Sequence, residues 1–151
     1  MATQEKDFYQ KLRVKIEKWL GTKEGKTHKY SEYIMAVPDL FHLLTKLMFD
    51  KGISAKDKAK LGFAIAYFIS PIDLIPEAIV GSIGFIDDLA LAAWILNDII
   101  NENNEEIVIK HWAGQGDILY LIKKIIADAN EMIGIGLWNK IKALVDNKEQ
   151  L

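Results

Sequence analysis

The chain contains no cysteine. That absence excludes disulfides, thiolate zinc sites, iron–sulfur clusters and cysteine nucleophiles together, fits a reducing compartment, and confines any metal site to oxygen and nitrogen ligands. Long apolar runs are missing too: the longest charge-free stretch, Leu61 to Ile72, falls well short of the ~20 apolar residues a spanning helix needs. The first residues, MATQEKDFYQKLRVKIEKWL, are charged throughout, with no apolar h-region and no small-residue cleavage site. A secretory signal is therefore not expected, and a cytoplasmic protein, peripheral to a membrane at most, is.

Basic residues are absent from the middle of the chain. Between Lys60 and Lys110 there is no Lys or Arg, while Asp73, Glu77, Asp87, Asp88, Asp98, Glu102, Glu105 and Glu106 all fall there. The rest of the chain holds all 19 basic residues against 13 of the 21 acids, so a near-neutral total conceals a dipolar layout. This argues against nucleic acid as partner and suggests a cation or a basic partner for the middle segment, unless that segment is a solvated acidic face. Metal-ligand spacing is lacking among His28, His42 and His111, and the Glu-x-x-His pattern of di-iron bundles does not occur.

What is present is helical periodicity. Half of the residues are hydrophobic, enough for one core in 151 residues and too few residues for two full-sized domains. Phe8, Leu12, Ile16, Trp19 and Leu20 recur at helical spacing and end at Gly21; the polar stretch 21–30 predicts a loop and a hinge. A second helix is expected from Pro38–Asp39 to Lys51–Gly52, and a third from the capping-box pattern Ser54-Ala-Lys-Asp57 until Pro71 stops it. A fourth should start near Ile86 and reach about Asn103. The segment 104–113 is read as helix although Ile107-Val-Ile109 favours strand locally; Asp117 caps a helix to Ile133, and 137–147 forms the last. Gly114-Gln-Gly116 superficially resembles a dinucleotide loop, but lacks the third glycine and a βαβ context. The expected architecture is an all-α, single-domain bundle of five to seven helices over residues 1–151, centred on a helix–turn–helix at 54–103.

One segment carries more information. Residues 67–88 read YFISPIDLIPEAIVGSIGFIDD, in which Tyr67, Ser70, Pro71, Asp73, Ile75 and Pro76 precede Gly84, Asp87 and Asp88. Over about residues 60–100 the chain resembles the YkvA-like domain of unknown function. The resemblance implies a short helical module and suspected membrane association, and it implies no activity.

Two readings of the motif follow from its chemistry. In the architectural one, Ser70, Pro71 and Asp73 are N-cap, N1 and N3 of a new turn, and Asp87 and Asp88 sit at a helix start where the macrodipole favours negative charge. Tyr67, Pro76 and Gly84 complete the framework. In the functional one, Asp73, Asp87 and Asp88, with Glu77, surround one small site that takes Mg²⁺, Mn²⁺ or Ca²⁺, because carboxylates crowded in an apolar segment repel one another unless a hard cation neutralises them. The leading expectation is a non-enzymatic interaction module at a protein partner or membrane surface, with homodimerisation as a further form and no cofactor required. The alternative is a divalent-cation-binding domain or metal-dependent hydrolase using the motif carboxylates.

Overall fold

A helix buried along most of its described length organises the structure. Over Ile83–Ile99, the residues Leu89 to Ala93, Ile95, Leu96 and Ile99 are all buried. A helix that is apolar all round is stable only when neighbours enclose it. The computed structural model describes residues 2–27, 29–74 and 83–147, without the side chains of 2–8, 24–25, 70–74, 83–87, 103 and 147.

In chain order the helices are α1 (Ala2–Leu20), α2 (Lys23–Thr27), α3 (Ser31–Met35), α4 (Val37–Met48), α5 (Ala55–Leu74), α6 (Ile83–Ile99), a π turn at Ile100–Asn104, α7 (Glu105–His111), α8 (Ile118–Ile133) and α9 (Ile135–Asn147). Among the described residues there is no strand, and seven of these helices have seven residues or more, so the fold is the expected all-α bundle. Helix α6 packs against α3, α4, α5, α8 and α9. From α4 come Val37, Leu40, Phe41, Leu44 and Leu47, from α5 Leu61, Ala64 and Phe68, and from α8 Ile118, Ile122 and Ile125. Leu12 and Ile16 seat α1 on this core, and α9 docks through Trp138, whose ring meets Trp94 edge-on at 5.5 Å while Lys142 covers both indoles.

Local signals set several boundaries. Asp117 accepts from the backbone N–H groups of Leu119 and Tyr120 and starts α8, as its position predicts. Residues 105–111 are helical, so the strand preference of the β-branched run Ile107, Val108 and Ile109 is overridden by the surrounding helix. Because a helix precedes Gly114-Gln-Gly116, the strand that a dinucleotide loop requires is absent there. The stretch 21–30 is not all loop, since α2 lies within it.

Three expectations around the motif need correction. Pro71 does not stop α5, which continues to Leu74. Proline deprives the Tyr67 carbonyl of its N–H partner, at ~3 kcal/mol or more in a helix interior, but the preceding turns are held by the burial of Leu61, Ala64 and Phe68. Ser70, Pro71 and Asp73 therefore occupy the last turns of α5, and a residue within a helix is not the N-cap of a new one. Helix α6 begins at Ile83, three residues before Ile86, so Asp87 and Asp88 lie in its second turn, beyond the first turn where the macrodipole acts most strongly.

Candidate functional site

The sequence motif spreads along the α5–α6 hairpin, whose helices pack against each other. Tyr67 is half-buried with its ring 6.4 Å from that of Phe63, and Gly84 stands in the first turn of α6. Asp88 is buried. The side chains of Ser70, Pro71, Asp73 and Asp87, together with Pro76 and Glu77, lie outside the described residues. By backbone position, Asp73 is in the last turn of α5, where the negative end of the helix dipole opposes a carboxylate by ~0.3–1 kcal/mol. The helix-end electrostatics expected for these acids therefore do not account for them.

A second cluster in the same hairpin was not anticipated. Lys60 is completely buried, with its ammonium 3.2 Å from Asp98 Oδ2 on α6 and 4.0 Å from Asp57 Oδ1 one turn back. A buried lysine is retained as a cation only with such partners. Ser54 Oγ accepts from the Asp57 backbone N–H at 3.2 Å, as the capping-box pattern predicts, yet the Asp57 carboxylate turns inward and is itself completely buried. Its two oxygens find no hydrogen-bond donor among the described residues, and the carboxyl of Glu102, on the π turn, is its acidic neighbour. That contact first, then burial and the Asp57 charge, raise the Glu102 pKa above the usual carboxylate value, while Lys56 at 3.7 Å and Lys60 oppose the rise. The basic partner inferred for the acidic middle segment is thus supplied in part from within α5. Of the acids Asp98, Glu102 and Glu106, spaced four apart, Asp98 pairs inward with Lys60, Glu102 reaches Lys56 from the exposed π turn, and Glu106 is exposed on α7. The sequence signal was the i,i+3 pair Asp57–Lys60 directly before the base-free stretch.

On the far side of α4, a cleft of about 750 Å³ opens between α1, α3, the first turn of α4, the 112–117 loop and α8. That size is within the roughly 300–1,000 Å³ of ligand pockets. Tyr9 donates its hydroxyl to Asp39 Oδ1 at 3.2 Å, and Tyr33 donates to Asp128 Oδ2 at 2.6 Å. Burial first, and then these carboxylates, push both phenols above the ordinary tyrosine value, so both stay protonated donors. A smaller recess of about 210 Å³ adjoins it, sharing Glu32, Tyr33 and Lys124 and adding Asp128 and the Lys29–Glu131 ion pair.

The rim of the cleft is a tightly folded loop. Trp112 Nε1 donates to the Gly116 carbonyl at 3.3 Å, and Gly116 takes φ +76°, which L side chains rarely adopt. The Trp112 ring lies against Gly114, where a Cβ would come within 2.6 Å of Cη2. Met35 is 57 % exposed and Tyr120 61 % exposed at the opening. Nothing in the local sequence marks these residues as one surface, because they come from three separate stretches of the chain, 9–20, 32–39 and 112–124.

Comparison with known proteins bears on the hairpin and leaves the cleft open. Residues 57–94 match the family described as "Protein of unknown function (DUF1232)", the YkvA-like family that the motif resembles. The match runs from Asp57 through Lys60 to Asp88 and so takes in most of the buried charge. The chain is 24 % identical over 106 residues to "Uncharacterized protein ORF9" of Methanothermobacter thermautotrophicus, covering 70 % of this chain and 73 % of that protein. No solved structure matches the chain.

Proposed function

We propose that this protein is a non-enzymatic interaction module in which the α5–α6 hairpin is the internal frame and the cleft beside α1 is the recognition surface for a protein partner. The observation that carries this reading is the cleft itself, a concave, aromatic-lined space with Met35 and Tyr120 open to solvent at its mouth. The described charges of the hairpin support the framing role, because Lys60 and Asp98 are directed at each other. Concavity favours a protein segment over a bilayer, since a membrane-surface helix must present its apolar face outward.

Position-specific photo-crosslinking in cells tests the reading. A photoreactive residue at Tyr120 or Met35 is expected to capture a discrete adduct that the same residue at Leu144, on α9, does not. An adduct of twice the protein's own mass would assign the surface to homodimerisation. Equal capture at all three positions, or binding restricted to anionic vesicles in co-sedimentation, would overturn the cleft as a protein-recognition site.

A second reading, divalent-cation binding by Asp73, Glu77, Asp87 and Asp88, draws support from the backbone position of Asp73. At the end of α5 it is an acid that the helix dipole disfavours, and a bound Mg²⁺, Mn²⁺ or Ca²⁺ would compensate it. Hydrolysis at such a metal is its enzymatic extension. Thermal unfolding of chelator-treated protein with each cation, in parallel with Asp73→Asn and Asp87→Asn, decides it. A cation-dependent rise in Tm lost in both variants supports the site, and an unchanged parent Tm removes it.

A further inference from the structure

The chemistry of the proposed partner can be read from the charges around the cleft, an inference that rests on the cleft being a recognition surface. Arg13 pairs with Glu17 at 3.4 Å, and Lys29 pairs with Glu131, so each of these exposed cations has a carboxylate of its own. What remains is uneven: among the described residues that line the cleft and the recess, Glu32, Asp39, Asp117 and Asp128 are left with one further cation, Lys124, which sits over the Tyr120 ring at 5.5 Å.

The hydrogen-bond donors recorded for three of these carboxylates are neutral, although Lys29 also feels the charge of Asp128. Asp39 and Asp128 accept from the hydroxyls of Tyr9 and Tyr33, and Asp117 accepts backbone N–H groups. A neutral donor orients a carboxylate and leaves its full charge in place. Asp39 and Asp128 are half-buried, shielded enough to strengthen an ion pair and open enough to receive one. Tyrosine faces beside oriented carboxylates attract ammonium and guanidinium groups by both charge and ring quadrupole. The exposed Met35 and Tyr120 meanwhile offer apolar contact for the rest of a segment.

We infer that the cleft and its adjoining recess take a basic, amphipathic segment of a partner protein, with Lys or Arg side chains directed at Asp39 in the cleft and Asp128 in the recess and apolar side chains against Met35 and Tyr120. An acidic segment would meet four carboxylates with one lysine to offset them.

Fluorescence anisotropy of the full-length protein with a labelled amphipathic Leu/Lys peptide and its Leu/Glu counterpart tests this, with amide NMR shifts locating the contact. The Leu/Lys peptide is expected to bind and to shift the 112–117 loop and Met35. Its affinity should fall about tenfold in Asp39→Asn/Asp128→Asn and weaken with salt. Lys124→Glu, which adds negative charge at an exposed position, should tighten binding, a gain that misfolding cannot mimic. Preferential binding of the Leu/Glu peptide at the cleft overturns the cationic partner while leaving the recognition surface standing. Failure of both peptides to shift cleft residues, or unchanged affinity in the folded double variant, overturns the inference, and the crosslinking experiment then judges the module reading on its own.

Discussion

Replacing Lys60 by methionine is the sharpest test of how the hairpin is held. The side chains are close in length, so packing is nearly conserved and the ammonium is what is lost. Lys60 and Asp57 are completely buried and Asp98 is only 17 % exposed, so the carboxylates left behind can recover little hydration. Removing one partner of a buried ion pair costs ~3–5 kcal/mol, a large share of the ~5–15 kcal/mol that holds a typical domain folded. With a urea m-value of ~2 kcal/mol/M, the unfolding midpoint should fall by ~1.5–2.5 M. The loss should shrink in acid, where the stranded carboxyls take up a proton, because that removes the uncompensated charge from the folded state. Adding Asp57→Asn and Asp98→Asn to the variant should recover part of the loss at neutral pH by the same logic. Equilibrium urea unfolding followed by circular dichroism at neutral and acidic pH reads all of this. A Lys60→Met protein within ~1 kcal/mol of the parent at neutral pH would refute the assignment of Lys60 as the buried counter-ion of α5 and α6.

The pH dependence of Glu102 has the opposite sense to that of an ordinary paired carboxylate. Its folded-state pKa is raised, so the folded protein binds the proton more tightly, and this group adds stability as pH falls through the raised value, levelling off once pH is below the ordinary glutamate range. Glu102→Gln should flatten that slope in urea unfolding; an unchanged slope would discard Asp57 as the neighbour that raises the Glu102 pKa. In the cleft rim, Gly114→Ala sets a methyl against the Trp112 ring and should cost ~1–3 kcal/mol, with a shift of tryptophan emission as the indole is displaced. An unshifted spectrum and Tm would contradict the loop packing. Asp117→Ala should cost ~1 kcal/mol by removing the α8 cap while Asp117→Asn retains most of it, a difference thermal unfolding can resolve.

Much of the helical framework was readable along the chain because its signals are local. The spacing of Leu12 and Ile16 marked the face of α1, Asp117 marked the start of α8, and the Ser54 cap marked the start of α5. Boundaries failed where no polar cap announces them: α6 opens inside the apolar run from Ile83, and α5 passes through Pro71 because its earlier turns are anchored in the core. The resemblance at the motif placed the hairpin correctly within the chain, and the family match at residues 57–94 agrees with it. The buried cluster was only half legible, since Asp57 and Lys60 are one turn apart whereas Asp98 lies 38 residues beyond Lys60.

Composition and periodicity by themselves determined that this is an all-α chain with one α5–α6 hairpin at its centre, because helix formation depends on residues three and four apart and on the stripe of apolar side chains they create. Tertiary structure alone decided the direction each charge takes. Asp98 turns inward to Lys60, and the tyrosine-bound Asp39 and Asp128 line a cleft and its adjoining recess, according to the rotation and packing of whole helices. Those rotations are set by the enclosure of α6, a long-range burial to which every neighbouring helix contributes and which no local pattern in the chain encodes.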